Sequence, residues 1–578
     1  MPTALRLDDV ADGMAAGPDD LATPGWPSRR PRPQLVRIVC HLTAELPLIV
    51  LCIRSMATGW RATSDDAVVA WRAWDVLSAH PTLLGAPTHT TGLGHQAFAP
   101  GPALSWLLAV PVHIDPSQGT LWGSTVIALA AIALAVEAGW AAGSTWGALG
   151  AAAVALTLVT TETAVLMNLP WTPWQGALWL VAALACAWAT GAGRWRWWPG
   201  CVVAASISAQ AHVVFALTAV GVCALSPMLA LVMRSRQMRS DPVRRSEPHQ
   251  AAGGRPTKPV VVGLVVGLLL WLPSLINGFS GHPGNLTLLW RSSTAAGSRI
   301  GYAHALQGLG AASWPPYSWA HRLPTTGSGA FLSIFGTTFH GAPWHGIATL
   351  VVLVVLGLWC SAIHRSAVAA LLWVSVAATV MTVITIAQTP SNDAFELVYL
   401  GVLYWPVGTA ATGAAVAGIV VVARSALGPR MGGSTSRKLN SIMVALCAVG
   451  LVGLSVGVTV VDAGSVPNSL SVQGGPDVGA LSDRAATAVV DVAPHRPFEL
   501  ELTGTSSVAI SSAAYPAIAY QLIARGLPVR LPLAFAVGAD ASRSAHGYLP
   551  VVTVDIGSRL PSARVFRPEH VPTRTPQP

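Results

Sequence analysis

The 578-residue sequence predicts an all-α polytopic membrane protein with a small α/β unit at its C-terminal end. Three observations predict it. Hydrophobic residues make up 52% of the chain and charged residues 10%, against about 25% charged in soluble domains, and the mean hydropathy is +0.54. The apolar residues gather into runs of about 17–25, the length that crosses a hydrocarbon core of about 30 Å as a helix. The basic residues, which give a formal net charge of +9, fall between those runs, where positive charge orients a chain in a membrane. That placement removes any need for a nucleic-acid partner, and the apolar content excludes a disordered or fibrous chain.

Residues 1–34 are rich in Pro, Asp and Gly and close on Arg29, Arg30 and Arg32, the pattern of a disordered cytoplasmic tail. The tail is too polar, and the next apolar run too long, for a cleaved signal peptide. A transmembrane domain over 35–461 follows, with spans read at 35–54, 119–140, 145–166, 174–191, 198–214, 216–233, 259–277, 347–363, 367–387, 397–423 and 440–461. These make about eleven crossings. Arg194 and Arg196, the basic group from Arg234 to Lys258, Arg365, and the group Arg424, Arg430, Arg437 and Lys438 all fall on the inner side of that count. An odd number of crossings puts the C-terminus outside a plasma membrane.

Three outer regions remain: 55–118, 278–346 and 462–578. The last has short strand-like pieces at Phe498–Leu502, Val508–Ser511 and Val551–Ile556. A helix-like piece runs from Pro516 to Arg525 and stops at Gly526. It reads as an extracytoplasmic α/β domain. The seven cysteines lie in or beside apolar runs without metal-ligand or disulfide spacing. Tryptophan is frequent, at 23 residues, and Trp60, Trp122, Trp140, Trp146, Trp171, Trp174, Trp197, Trp198 and Trp405 sit near span ends, as an interfacial belt does. Trp290, Trp314 and Trp319, in the second outer region, offer faces for sugar stacking.

Candidate chemistry starts with the adjacent acids Asp65 and Asp66, about a dozen residues after the first span. A carboxylate at the membrane surface can take a proton from an acceptor hydroxyl or hold a divalent cation. The pair also reads as acids in the first turn of a helix capped by Ser64. Adjacent helical residues point about 100° apart, so both cannot easily serve one atom. Further on, Pro100-Gly101-Pro102 precedes an apolar run too short to span, which fits a helix lying in the interface. After the seventh span come His282-Pro283-Gly284-Asn285-Leu286, then Arg291 and Arg299. His212 sits at the turn of a tight hairpin, where the water boundary or a functional site both account for it. Glu45, Glu137 and Glu162 lie in or near spans. Glu45, the deepest, requires a partner or a cavity, and Glu162 is placed to join an outer site.

The acidic pair in a long first outer loop, the Pro-Gly-Pro interfacial helix, the Pro-Gly-Asn-Leu stretch and the outer C-terminal domain together resemble the GT-C superfamily. These are integral-membrane glycosyltransferases that use polyprenyl-phosphate sugars, and the likeness extends to uncharacterised actinobacterial proteins near the arabinofuranosyl- and mannosyltransferases. It implies a sugar transferred from a polyprenyl-phosphate donor to an envelope glycan, lipid or protein on the outer face. The superfamily's acidic motif maps onto Asp65 and Asp66, here adjacent rather than spaced. The resemblance implies these two as the catalytic acid and as contacts for a divalent cation such as Mg or Mn. Arg291, Arg299 and His282 are the candidates to meet the departing phosphate, with Asn285, His212 and Glu162 completing the candidate substrate contacts. Nucleotide sugars are not available outside the membrane, and no nucleotide-binding glycine pattern follows a strand. A lipid-linked sugar flippase would show internal repeats and broken helices at mid-membrane, and none is evident. A non-enzymatic envelope assembly protein would tolerate loss of both acids.

Overall fold

A computed structural model describes residues 33–566 except 80, 93–94, 163, 241–255, 281–282, 295–296, 321–340, 392–393, 428–432, 470–474, 494–495, 504–507, 531–549 and 557–560. His282 and the tail before residue 33 therefore lie outside the described residues. In chain order the helices begin with α1 (Pro33–Ala57), α2 (Ser64–Asp75), α3 (Ala103–Ile114), α4 (Gly119–Glu162), α5 (Ala164–Met167), α6 (Thr172–Gly191), α7 (Trp198–Ala211) and α8 (Val213–Ser240). They continue as α9 (Thr257–Ser280), α10 (Asn285–Thr294), α11 (Gly301–Ser313), α12 (Pro343–Ala362), α13 (Ser366–Gln388), α14 (Ala394–Leu427), α15 (Gly433–Ser469), α16 (Gly475–Val492) and α17 (Val508–Ala524). A hairpin of β1 (Pro87–Gly92) and β2 (His95–Phe98) stands between α2 and α3.

Among the described residues eight helices are long and apolar enough to cross a membrane: α1, α4, α8, α9 and α12 to α15. The chain is a multi-pass membrane protein. The two spans expected at 119–140 and 145–166 are the two helical arms of α4, which folds back on itself at Ser144, whose backbone leaves the helical region at φ 53°, ψ −138°. A Cβ on Gly139 would lie 2.5 Å from the Gly147 carbonyl oxygen, so the two arms touch where only glycine fits.

The span expected at 198–214 is corrected. α7 has 14 residues and rises about 21 Å, short of the hydrocarbon thickness. It ends at His212, which is extended (φ −154°, ψ 138°), and α8 returns antiparallel to it, with the Trp198 indole donating to the Cys223 carbonyl at 3.2 Å. α6 is buried along almost its whole length in the middle of the bundle. The Ser208 hydroxyl of α7 donates to the Gly176 carbonyl of α6 at 2.8 Å, stitching the three helices together.

The deep acid Glu45 has the partner it requires. His41 Nδ1 is 2.9 Å from Glu45, and its Nε2 is 2.8 Å from Glu137, which also receives the Arg37 guanidinium through two oxygens at 2.6 and 2.5 Å. Residues 37, 41 and 45 share one stripe of α1, so the network joins α1 to the first arm of α4 and leaves no isolated charge in the apolar layer.

The belt reading of tryptophan is also corrected. Trp60, Trp171, Trp174, Trp198 and Trp405 are buried inside the bundle, because close helix packing encloses rings that sequence position alone places at a boundary. α3 presents Trp106, Leu107, Val110 and Ile114 outward and buries Leu104, Leu108 and Val112, as an apolar helix lying between lipid and protein would.

The C-terminal segment forms a four-stranded sheet with β3 (Phe498–Thr503), β4 (Val529–Arg530), β5 (Val551–Asp555) and β6 (Ser562–Phe566), ordered β4-β3-β5-β6. β3 is parallel to β4 and β5, while β6 is antiparallel to β5. Two of the expected strands are present. The piece Val508–Ser511 is instead the first turn of α17, which continues through Pro516 to Ala524. The crossover from β3 to its parallel neighbour β4 needs a helix, and that tertiary demand overrides the local β-propensity. α17 buries Tyr515, Ile518, Tyr520, Leu522 and Ile523 and packs against α2. The Tyr520 hydroxyl donates to the Pro116 carbonyl at 2.9 Å, and Arg61 pairs with Asp483 at 3.2 Å.

Candidate functional site

α2 begins abruptly. Its N-cap is Thr63 rather than Ser64, and Ser64 takes a left-handed φ of 51° before the helix settles. The Asp66 amide closes the first turn on the Thr63 carbonyl at 3.1 Å. The angular step between neighbours then separates the two acids completely. Asp65 is exposed on the wall of a cleft of about 680 Å³, whereas Asp66 turns inward and is 2% exposed. The Asp66 Oδ1 has no hydrogen-bond partner. Burial, and secondarily the charge of Asp65, push its carboxyl well above the usual carboxylate range.

The cleft opens among α2, the Trp171–Pro173 turn, the start of α8, α9, α10 and the end of α13. Its walls are mainly apolar, with Trp171, Trp271, Leu217, Leu286, Leu289 and Trp290 prominent. Asp65 and His212 are the two titratable side chains lining it among the described residues. One Asp65 oxygen, Oδ2, accepts from the Trp171 indole N–H at 3.2 Å. His212 Nδ1 accepts the Val214 amide at 3.3 Å, so the neutral ring carries its proton on Nε2. The far wall is neutral and polar, formed by Ser292, Ser293, Thr385, Gln388 and Thr389.

The other expected contacts stand elsewhere. Asn285 braces the backbone: its Oδ1 accepts the Phe98 amide at 2.8 Å, and its Nδ2 donates to the Phe98 carbonyl at 3.0 Å. It therefore pairs like a strand residue with the end of β2 and is buried outside the cleft lining. Asn285→Ala leaves a buried amide and carbonyl of Phe98 unpaired, at a cost of about 1–3 kcal/mol each. The expected result is a lower melting temperature, read by thermal unfolding.

Arg299 donates to the Gln388 carbonyl at 2.6 Å and supports the cleft wall from behind. Arg291 is exposed on α10 away from the lining. Glu162 is the last residue of α4, and its side chain lies outside the described residues. The Pro-Gly-Pro segment is likewise a joint. Gln210 Oε1 accepts the Ala103 amide at 3.2 Å while its Nε2 donates to the Leu270 carbonyl at 3.0 Å. A Cβ on Gly101 would fall 2.5 Å from Gln210 Cδ, so a larger residue there must push the Gln210 side chain out of these bonds.

The buried Arg72 donates to the Leu84 carbonyl at 2.9 Å and lies over the Phe98 ring at 5.6 Å. Among the described residues no group of three or more His, Cys, Asp or Glu side chains is placed to hold a metal ion. Asp65 and Asp66 face opposite environments, so their two carboxylates do not meet at one point. Sequence reasoning missed Trp171, Trp271 and the neutral wall. The one local signal was Trp171 itself, set between Pro170 and Pro173 in a turn that φ-fixed prolines hold rigid.

No protein-family model matches the chain, and no curated protein matches it. Among solved structures it is similar to ArnT from Cupriavidus metallidurans bound to undecaprenyl phosphate, at 15% identity over 89% of this chain and 92% of that one, with a TM-score of 0.47. The apo state of the same protein gives 14% identity over the same shares and a TM-score of 0.45. The Archaeoglobus fulgidus oligosaccharyltransferase in its apo form gives 10% identity over 84% of this chain and 64% of that one, with a TM-score of 0.38.

Proposed function

We propose that this chain is a membrane glycosyltransferase that moves a sugar from a polyprenyl-phosphate donor to a hydroxyl of an envelope glycan, lipid or protein on the outer face. The observation that carries the reading is the cleft itself: an apolar chamber among membrane helices, with one carboxylate, Asp65, on its wall and His212 in its lining. An apolar chamber suits a lipid-linked donor, whereas a nucleotide sugar would call for phosphate-cradling backbone or a cluster of cations.

In the proposed reaction the acceptor O–H gives its proton to Asp65 as its oxygen bonds to the anomeric carbon. The bond from that carbon to the phosphate oxygen breaks, and the lipid phosphate leaves with the electron pair. His212 Nε2–H donates to the departing phosphate oxygens. Two acids turned to different environments do not fit a resident divalent ion, and no step is routed through one. The C-terminal segment, packed on α2, completes the outer structure around the acid.

The test uses purified protein in lipid vesicles with a panel of labelled polyprenyl-phosphate sugars and envelope-derived acceptors. The expected result is a labelled glycoside whose formation depends on one donor. Movement of labelled donor across the vesicle membrane without any glycoside formed would overturn the reading in favour of a flippase.

A further inference from the structure

Trp171 is the N-cap of α6, and the chain on either side holds it still. Pro170 and Pro173 flank it, and Gln175, buried in the first turn, sends its amide toward the Met167 and Leu169 carbonyls, each at 3.3 Å. The ring is 5% exposed and packs on Trp174 with centroids 4.6 Å apart. From this fixed position its N–H reaches Asp65 Oδ2, 106 residues away in the chain, at 3.2 Å. An indole has one donor and no acceptor, so it bonds the carboxylate through a defined oxygen and sets the plane of the group.

Resting on the reading of Asp65 as the base, we propose that Trp171 is the positioning residue of the reaction: its indole N–H fixes the Asp65 carboxylate at the angle from which it takes the acceptor proton. A hydrogen bond to the charged form also favours that form, so removing it makes Asp65 harder to ionise. Two consequences follow for a variant that keeps the ring and loses the N–H. The base stands in the wrong orientation more of the time, which lowers kcat, and the acid limb of the pH–rate profile moves upward. The donor KM stays within about twofold of its original value, because the aromatic surface in the cleft is unchanged.

The experiment compares wild type, Asp65→Ala, Trp171→Phe and a protein with β-(3-benzothienyl)alanine incorporated at position 171, which replaces the indole N–H by sulfur in the same ring shape. The expected result for both ring-retaining variants is a fall in kcat of about 10–100-fold, the scale of one hydrogen bond to a charged group, with the acid limb raised by about one pH unit. A packing or sugar-stacking role predicts a wild-type kcat and an unmoved acid limb for the benzothienyl variant, since both ring faces remain, and that outcome overturns the proposal. The benzothienyl variant decides the matter if phenylalanine leaves too loose a fit to fold. Asp65→Ala separates the two levels: transfer that survives it sinks the reading of Asp65 as the base, whereas its loss together with an unchanged Trp171 series sinks the positioning role alone.

Discussion

Asp65→Asn is expected to abolish the proposed sugar transfer, and Asp66→Asn to retain most of it. The two acids are neighbours in sequence, yet the structure gives them opposite environments, one on the cleft wall and one buried with an unpartnered oxygen. Removing a general base costs about 10²–10⁴-fold in rate. Asparagine at 65 keeps the shape and the ability to accept from Trp171 but cannot take a proton, so the loss falls on kcat.

At position 66 burial already favours the neutral acid, and asparagine reproduces that form closely. The sign of the pH effect follows. The folded state binds the Asp66 proton more tightly than the unfolded chain, so this contribution to stability is complete below the ordinary carboxylate range. It is lost as pH rises through the raised folded-state value. Wild type should lose stability over that window, and Asp66→Asn should show a flatter profile there. Parallel pH series of transfer rate and thermal unfolding on the three proteins check both halves. Equal losses from the two substitutions would show that the acids act as a pair.

Gly147→Val is expected to prevent the bundle from forming. A Cβ at 147 would overlap the Gly139 backbone carbonyl and also lie 3.1 Å from the Trp188 ring. The carbonyl belongs to the opposing arm of the folded α4, so relief requires the hairpin to open. Overpacking of a core costs about 1–3 kcal/mol where side chains can shift, and here backbone meets backbone, which puts the expected cost at or beyond that upper end. Gly150→Ala is the control. A Cβ there meets nothing within 4 Å, and alanine is favoured over glycine in a helix by about 1 kcal/mol. Yield of monodisperse protein in detergent and its melting temperature should collapse for Gly147→Val and hold or rise for Gly150→Ala. A well-folded Gly147→Val protein would mean that the two arms do not meet as described.

Much of the architecture is legible because the bilayer imposes a length and a polarity on each segment. The spans, the hairpin turn at His212 and the interfacial character of α3 follow from runs of apolar residues and their breaks. The exceptions have one cause. α7 is too short to cross alone, Val508–Ser511 is helical, and five boundary tryptophans are interior, each because a neighbouring element supplies packing that no local pattern records.

The candidate site divides in the same way. Sequence named Asp65, Asp66 and His212, since carboxyl and imidazole groups beside apolar runs stand out chemically. It also named Asn285 and Arg299, whose polar groups satisfy backbone at 2.8 and 2.6 Å, since a side chain that braces a loop and one that grips a substrate look alike in one dimension.

By itself, then, the sequence determined that this is a membrane bundle with an acidic pair just after the first span. Only the tertiary structure decided which acid faces the cleft. The helical step requires that the two diverge, but the choice depends on which side of α2 is covered. That cover comes from α17 of the C-terminal segment and from α3, both packed against α2.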